Sequence, residues 1–191
     1  MRMKRLNVKK LALITMMGTL GNILFLFSQY MFNLGQVTLD LSHLGTFIVA
    51  MYGGAIPGLV TGLIVGFGPG YYYGYGGHLG LLGVIGLPIG KALTGFTVGL
   101  LAEIVLPKMK KWKSIITVLL IMLGYIPECL FTILFFKILV PVFLPFVAQI
   151  LATFLIPILI KAWLEIILMS ILMGALVGNK GFSDFVRQNF T

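Results

Sequence analysis

Four ionisable residues lie inside long apolar stretches of this chain: Lys91, Glu128, Lys161 and Glu165. An ionised side chain in the middle of a membrane costs at least about 2.5 to 3.5 kcal/mol, so each of them should face a partner or a wet cavity. At ~1.5 Å per helical residue, Lys91, Glu128 and Lys161 lie roughly 12–20 Å below the same predicted membrane surface. The sequence therefore predicts that their polar ends converge within one cavity that is open to the outside.

These charges have two interpretations. In the first, Lys161 pairs with Glu165, four residues on along the same helical face, and Lys91 pairs with Glu128, so that the pairs hold the bundle together. In the second, some of the four line a water-accessible pocket whose polar groups fix the orientation of a ligand. The spacing alone leaves both interpretations open.

A tyrosine- and glycine-rich segment, GYYYGYGGHLG at residues 70–80, is predicted to be an external loop. Tyr73 and Tyr75 offer flat apolar faces with a hydroxyl group, which suits a heteroaromatic solute, and the glycines let the backbone approach it. His78 lies in the same segment and is included among the substrate-binding candidates. The alternative is an interfacial aromatic belt, and Tyr71 is the tyrosine that we assign to it.

A second external segment, residues 28–41, is polar and aromatic and carries a single charge, at Asp40. It is predicted to lie on the protein as a cap and to close over a bound solute together with the tyrosine segment. Asn33 and Asp40 are the candidate ligand contacts in this cap. Exclusion of water by such a closure would strengthen the hydrogen bonds that orient the solute.

Motifs for catalysis or metal binding are not found in the sequence. It contains no H-E-x-x-H and no G-x-S-x-G, and both histidines are assigned to external segments. A single cysteine, Cys129, excludes an intramolecular disulfide and a cysteine-based metal cluster. Gly90-Lys91 superficially matches a P-loop, but Ile85 and Ala92 stand where glycine and Ser or Thr are needed. We therefore expect no enzyme activity, no metal and no cofactor, and any uphill transport must draw its energy from a partner or an ion gradient.

The composition places these residues in a membrane protein. Of the 191 residues, 59% are hydrophobic and 10% are charged, and the mean hydropathy is +1.08, which is too apolar for a soluble domain of this size. The fold class predicted is all-α, a single membrane domain over residues 1–191 with six transmembrane helices. Spans of about 20 apolar residues place them near 9–29, 41–54, 55–69, 81–104, 114–136 and 147–176.

The basic residues predict the orientation. Eleven of the fourteen Lys and Arg residues fall on one side of the six spans, before the first, after the fourth and after the sixth. The positive-inside rule makes that side cytoplasmic, together with both termini. The formal charge of +9 is then explained by topology and by contact with anionic membrane lipid, and no nucleic-acid partner is needed.

Two small-residue patterns predict helix packing. Gly58, Gly62, Gly66 and Gly70 recur every four residues and so form one stripe on a helix, which permits close approach of a neighbouring backbone. On the first helix, small and polar residues form a ridge that is a docking surface, either internal or offered to a partner. The ridge comprises Ala12, Thr15, Gly18, Thr19 and Asn22.

The stretch LDLSHLGTFIVAMYGGAIPGLVTGLIVGF, residues 39–67, resembles the S components of energy-coupling factor (ECF) transporters. It is similar to that family's pattern of a short polar entry, a helix, a corner rich in Gly and Ala, and glycines at four-residue spacing. The resemblance implies a six-helix subunit that captures a vitamin or related micronutrient from outside. It also implies partners, namely a membrane-embedded T component and two cytoplasmic ATPases, and a tilt in the membrane that releases the solute inside.

The resemblance also implies roles for particular residues. In that family the first helix presents an A-x-x-x-A pair to the T component; here Ala12 is followed by Met16, and Thr15 and Thr19 form a small-x-x-x-small alternative. The family's pocket is formed by the first loop and the last three helices, where Lys91, Glu128 and Lys161 are placed. LIPILIKAW, residues 155–163, resembles the sixth helix of riboflavin-binding members, which carry an asparagine where this chain has Ile158.

Two other functions are compatible with the sequence. One is a self-sufficient secondary transporter that uses Glu128, Glu165 and Lys161 as a relay, although six short helices show no visible inverted repeat. The other is a membrane assembly protein whose buried charges are structural. Uptake into liposomes separates the first of these from an S component, because a gradient-driven transporter works alone.

Overall fold

The computed structural model describes residues 8–31, 38–77, 79–109 and 111–190. Asn33 and His78, two of the predicted ligand contacts, lie outside the described residues. The all-α prediction is confirmed for the described part, which is built from nine α-helices. They are α1 (Val8–Met31), α2 (His43–Gly53), α3 (Ala55–Tyr71), α4 (Gly80–Val105), α5 (Lys113–Leu134), α6 (Val140–Phe143), α7 (Pro145–Thr153), α8 (Leu155–Gly178) and α9 (Lys180–Phe190).

Four helical segments in the described ranges are long and apolar enough to cross a membrane: Val8–Met31, Gly80–Lys108, Lys113–Phe143 and Leu155–Gly178. The chain therefore has the helices of a membrane protein. With 11 and 17 residues, α2 and α3 are short for a crossing of ~30 Å at ~1.5 Å per residue.

The short helix α2 lies at the centre of the bundle. Eight of its 11 residues are buried, and Phe47 and Ala50 belong to a core with Val98 of α4, Ile121 of α5 and Ile166 of α8. At its C-terminal end the buried Lys10 ammonium donates a hydrogen bond of 2.9 Å to the Gly53 carbonyl, where a cation is favoured by the helix dipole.

The predicted glycine stripe is the packing face between α3 and α4. A Cβ atom at Gly62 would lie 2.7 Å from both the Cα of Ala92 and the carbonyl carbon of Lys91, and one at Gly66 would lie 2.8 Å from the Pro88 nitrogen. Helix α4 contributes a small residue of its own to this contact, since a Cβ at Gly95 would lie 2.7 Å from the carbonyl carbon of Gly58. The close approach fixes the height of Lys91 against α3.

The prediction of a loop at residues 70–80 is wrong over most of this segment. Helix α3 runs to Tyr71 and continues as a π-helical segment, Tyr72–Gly76. A Cβ at Gly74 would lie 2.9 Å from the Gly80 carbonyl oxygen, so glycine lets this helical extension pack directly against the start of α4. The tyrosines therefore lie on a helix end, and the chain turns only after Gly76.

The span predicted at 147–176 is also wrong at its start, because the chain forms α7 and then a separate α8. Pro157 explains the break: its ring would clash with the Thr153 carbonyl in a continuous helix, whereas a start at Leu155 places it in the first turn. The fifth span is longer than predicted. A π-helical segment, Phe135–Leu139, joins α5 to α6, so that Lys113–Phe143 is helical throughout.

A C-terminal helix, α9, is absent from the sequence prediction. Phe182, Val186 and Phe190 recur every four residues and pack against a core that contains Leu13 of α1 and Val49 of α2. Ser183 adds a hydrogen bond of 2.8 Å to Tyr52. This amphipathic helix therefore covers the ends of α1 and α2 that lie opposite the site described next.

Candidate functional site

Six ionisable side chains meet around the N-terminal end of α2, and we call them the charged cluster. They come from five segments: the residues before α2, α2 itself, α4, α5 and α8. The members are Asp40, His43, Lys91, Glu128, Lys161 and Glu165.

Lys91 and Asp40 form the most deeply buried ion pair of the cluster. The Lys91 ammonium lies 3.0 Å from Oδ2 of Asp40 and donates a second hydrogen bond of 2.7 Å to the Ser42 hydroxyl. The Ser42 backbone N–H in turn donates to Oδ1 of Asp40 at 2.8 Å. Lys91 is 5% exposed and Asp40 is 9% exposed, so both charges depend on these contacts in place of water.

The protonation state of Asp40 follows from competing effects. Burial opposes ionisation, but the positive charge of Lys91 and the hydrogen bonds with Ser42 outweigh it, so the pKa of Asp40 is held below its usual value. Asp40 is therefore an anion at neutral pH, at the end of α2 where the helix dipole favours negative charge.

Glu165 connects the two lysines of the cluster. Its Oε1 lies 3.3 Å from the Lys161 ammonium and accepts a hydrogen bond from the Asp40 backbone N–H. The predicted Lys161–Glu165 pair is thus present. The predicted Lys91–Glu128 pair is wrong, because Asp40 is the carboxylate that pairs with Lys91.

Glu128 instead contacts a histidine that the sequence had placed in an external segment. Its Oε1 lies 3.4 Å from Nε2 of His43, and its other oxygen accepts a hydrogen bond from the Thr94 hydroxyl. His43 stacks on Phe47 with ring centroids 5.5 Å apart. It is the first residue of the buried helix α2, which explains why the external assignment of this residue is wrong.

His43, Ser42 and Thr94 are the cluster contacts that sequence reasoning missed. The signal was their position: Ser42 and His43 follow Asp40 at the start of an apolar helix, and Thr94 lies three residues after Lys91 on the same helix face. Polar residues on the same helix face as an intramembrane charge mark the face that meets other polar groups.

Tyr73 lies within electrostatic range of Asp40 and Glu165 in the charged cluster, whereas Tyr75 lies at the surface. Tyr73 is half-buried and its hydroxyl accepts a hydrogen bond of 3.3 Å from the Gln29 amide. Tyr75 is 64% exposed and lines an open groove of about 530 Å³. The rest of that groove is formed by Gly74, Gly80 and the segment from Phe143 to Val147.

An apolar cluster lies towards the tyrosine segment. Leu79, Phe135, Phe136 and Leu155 are buried together. Leu79 directly precedes α4, which carries Lys91, and Leu155 begins α8, which carries Lys161. A second groove, between α4 and α5, is lined almost entirely by aliphatic and aromatic side chains. Neither groove is lined by a member of the charged cluster.

The predicted docking residues of α1 fall on one exposed face. Ala12, Thr15, Met16 and Thr19 are all exposed. The other two ridge residues turn inward: a Cβ at Gly18 would lie 2.8 Å from Ile64, and the Asn22 amide donates to the Ile64 carbonyl at 2.9 Å. The ridge is thus two faces, one packed against α3 and one available to a partner.

Comparison of the chain with known protein families, curated proteins and solved structures found no match.

Proposed function

We propose that the chain is the solute-binding subunit of a membrane importer, of the class to which the S components of ECF transporters belong. One observation carries the proposal: six ionisable side chains from five segments converge at one end of the central helix α2. Its solute is a small vitamin-like molecule taken from outside, and the resemblance of residues 155–163 to riboflavin-binding members makes riboflavin one candidate.

Stabilisation of the fold does not by itself explain why so many charged side chains lie together. Buried ion pairs contribute little net stability, and well-packed apolar side chains of similar volume often replace them without loss. A bundle already held by the α3–α4 glycine packing and the core around α2 has little need of them. Clustered ionisable groups inside a membrane protein are typical of a ligand or ion pathway.

The topology in this proposal has six membrane segments. Helices α2 and α3 together with the four long helices supply them, and both termini are cytoplasmic in the cell membrane. The basic residues between α4 and α5 then face the cytoplasm, and the groove beside Tyr75 opens outside.

Partners are required because the sequence has no nucleotide-binding motif. We assign the exposed α1 face of Ala12, Thr15, Met16 and Thr19 to a T component, which would couple the chain to two cytoplasmic ATPases. Small residues on this face allow close helix approach. Membrane lipid covers the other exposed apolar faces, and nucleic acid has no role.

Identification of a co-purified solute tests this proposal. The chain is purified in mild detergent, denatured, and the released small molecules are quantified by mass spectrometry against a mock purification. We expect one small molecule at near-stoichiometric amount, retained in Lys137→Met, which alters an exposed lysine, and reduced in Lys161→Met. Absence of any enriched molecule would contradict the proposal.

A second candidate is a proton-coupled transporter that works alone. The observation that favours it is the clustering of ionisable groups: the Lys161–Glu165 and Lys91–Asp40 pairs are neighbours, since the Asp40 backbone N–H donates a hydrogen bond to Glu165. Clustered ionisable groups inside a membrane are typical of proton relays. Uptake of the solute by proteoliposomes that contain only this chain, under an imposed pH gradient, would favour this candidate over the first.

A further inference from the structure

We infer that the charged cluster accepts a solute that carries a cationic N–H group, such as a protonated amine or amidine. The inference rests on the proposed function and names the chemical class of its solute. It follows from two features of the cluster, an excess carboxylate and an unpartnered histidine nitrogen.

The cluster holds three carboxylates and two ammonium groups. Asp40 is matched by Lys91 and Glu165 by Lys161. Glu128 is left with the imidazole of His43 and the Thr94 hydroxyl, and within the described residues no lysine or arginine lies within ion-pairing distance of it. A carboxylate in an apolar environment requires a compensating positive charge.

The second feature is Nδ1 of His43. The residue is 6% exposed, and among the described residues nothing forms a hydrogen bond with this nitrogen. When Nε2 carries the proton and donates towards Glu128, Nδ1 is an acceptor that lacks a donor. The hydroxyl of Thr46, one turn along α2, is likewise buried and without a partner in the described part of the chain.

The contact between His43 and Glu128 is long. Nε2 of His43 and Oε1 of Glu128 are 3.4 Å apart, whereas charge-assisted hydrogen bonds from N–H to a carboxylate are typically about 2.7–2.9 Å long. The imidazole therefore compensates the charge of Glu128 only weakly, which leaves that charge for a ligand to compensate.

Both features are satisfied by a solute with a cationic N–H group. Its positive charge compensates Glu128 beside Nε2 of His43, and a further N–H donor of the same solute can donate to Nδ1, which points away from Nε2. A neutral alcohol supplies a donor without the charge, and a carboxylate would meet Glu128 with like charge. Glu128 can be reached, since its side chain is 14% exposed, and Gly90 opposite it has no side chain to block it.

Three probes of similar size and different charge test the inference: benzylamine, benzyl alcohol and benzoate, each added at millimolar concentration to the purified full chain in nanodiscs. A ligand that binds the folded state raises the melting midpoint by mass action. We expect benzylamine to raise the midpoint by roughly 2–4 °C more than either other probe. An equal or larger shift with benzyl alcohol or benzoate, or no shift with any probe, would overturn the inference.

Glu128→Gln supplies the matched variant and Glu103→Gln its control. The first leaves two carboxylates with two ammonium groups, so it should fold and lose the preference for benzylamine. The second removes an exposed carboxylate at the other end of α2, beside Gly54, and should keep the preference. Loss of the preference in both variants, or in neither, would show that the cation does not bind beside Glu128 and would overturn the inference.

The result is distinguishable from failure of the proposed function. If a stoichiometric solute co-purifies with the chain while benzylamine shows no preference, the solute-binding function stands and the inference about charge falls. If nothing co-purifies, the proposed function falls whatever the probes show.

Discussion

The ammonium of Lys91 lies 3.0 Å from Oδ2 of Asp40 and so joins the middle of α4 to the residues that precede α2. Gly62 makes the contact possible, because a side chain there would collide with the backbone of Lys91 and Ala92. The close packing of α3 on α4 therefore determines the electrostatics of the site, because it sets the height at which the Lys91 ammonium meets the Asp40 carboxylate.

Replacement of Lys91 by Met should strongly destabilise the chain. Removal of one partner from a buried ion pair leaves an uncompensated charge and costs roughly 3–5 kcal/mol. Thermal unfolding in detergent should show a large fall in the midpoint, and the exposed Lys137→Met should show almost none. The double variant Lys91→Met/Asp40→Asn should recover part of the loss. A double variant no more stable than Lys91→Met would show that the pair is not the source of the effect.

Replacement of Gly62 by Leu should separate α3 from α4. Even a Cβ atom at this position would lie 2.7 Å from the Cα of Ala92, and overpacking of this kind typically costs about 1–3 kcal/mol or more. Gly76→Leu is the matched control, because a Cβ there would meet nothing within 4 Å. The midpoint of thermal unfolding should fall for Gly62→Leu alone. Similar midpoints for the two variants would contradict the packing account.

The parts of this structure that the sequence could predict depend on local spacing. A four-residue repeat places Gly58, Gly62 and Gly66 on one helix face, and the same spacing brings Lys161 to Glu165. Both follow from helix geometry within a single element. Each was therefore visible before any tertiary contact was known.

The partner of Lys91 could not be predicted in this way. Depth in the membrane made Glu128 and Lys91 suitable partners, but the actual carboxylate is 51 residues away in sequence, in a segment that was expected to be an external cap. The burial of α2 is what brings Asp40 and His43 inside. An 11-residue helix gives too weak a periodic signal to reveal that burial.

Replacement of Thr15 by Trp should block assembly and spare solute binding. Thr15 lies on the exposed face of α1 with Ala12 and Thr19, where a bulky ring would prevent close helix approach. Co-purification with the T component and the ATPases should be lost, while the amount of bound solute stays near that of the wild type. Leu130→Trp, at an exposed position of α5, is the control. Equal loss of solute and partners in Thr15→Trp would indicate internal packing.

Replacement of Tyr75 by Ala should speed release of the solute. Stacking on an aromatic ring contributes about 0.5–1.5 kcal/mol beyond area burial, which corresponds to a roughly 2- to 10-fold faster dissociation. Tyr73→Ala should act in the same direction, since Tyr73 lies within electrostatic range of Asp40 and Glu165 in the charged cluster. Tyr71→Ala should have the smaller effect expected of an interfacial anchor. Unchanged dissociation rates in all three variants would show that the tyrosines are interfacial anchors and not contacts of the solute.

ATP-driven uptake into proteoliposomes tests the central claim most directly. The co-purified solute is supplied outside, in labelled form, to liposomes that contain this chain either alone or together with the T component and both ATPases, with ATP inside. The account predicts that the chain alone binds the solute without accumulating it, and that accumulation requires all the partners and ATP. Accumulation by the chain alone under an ion gradient would contradict the account.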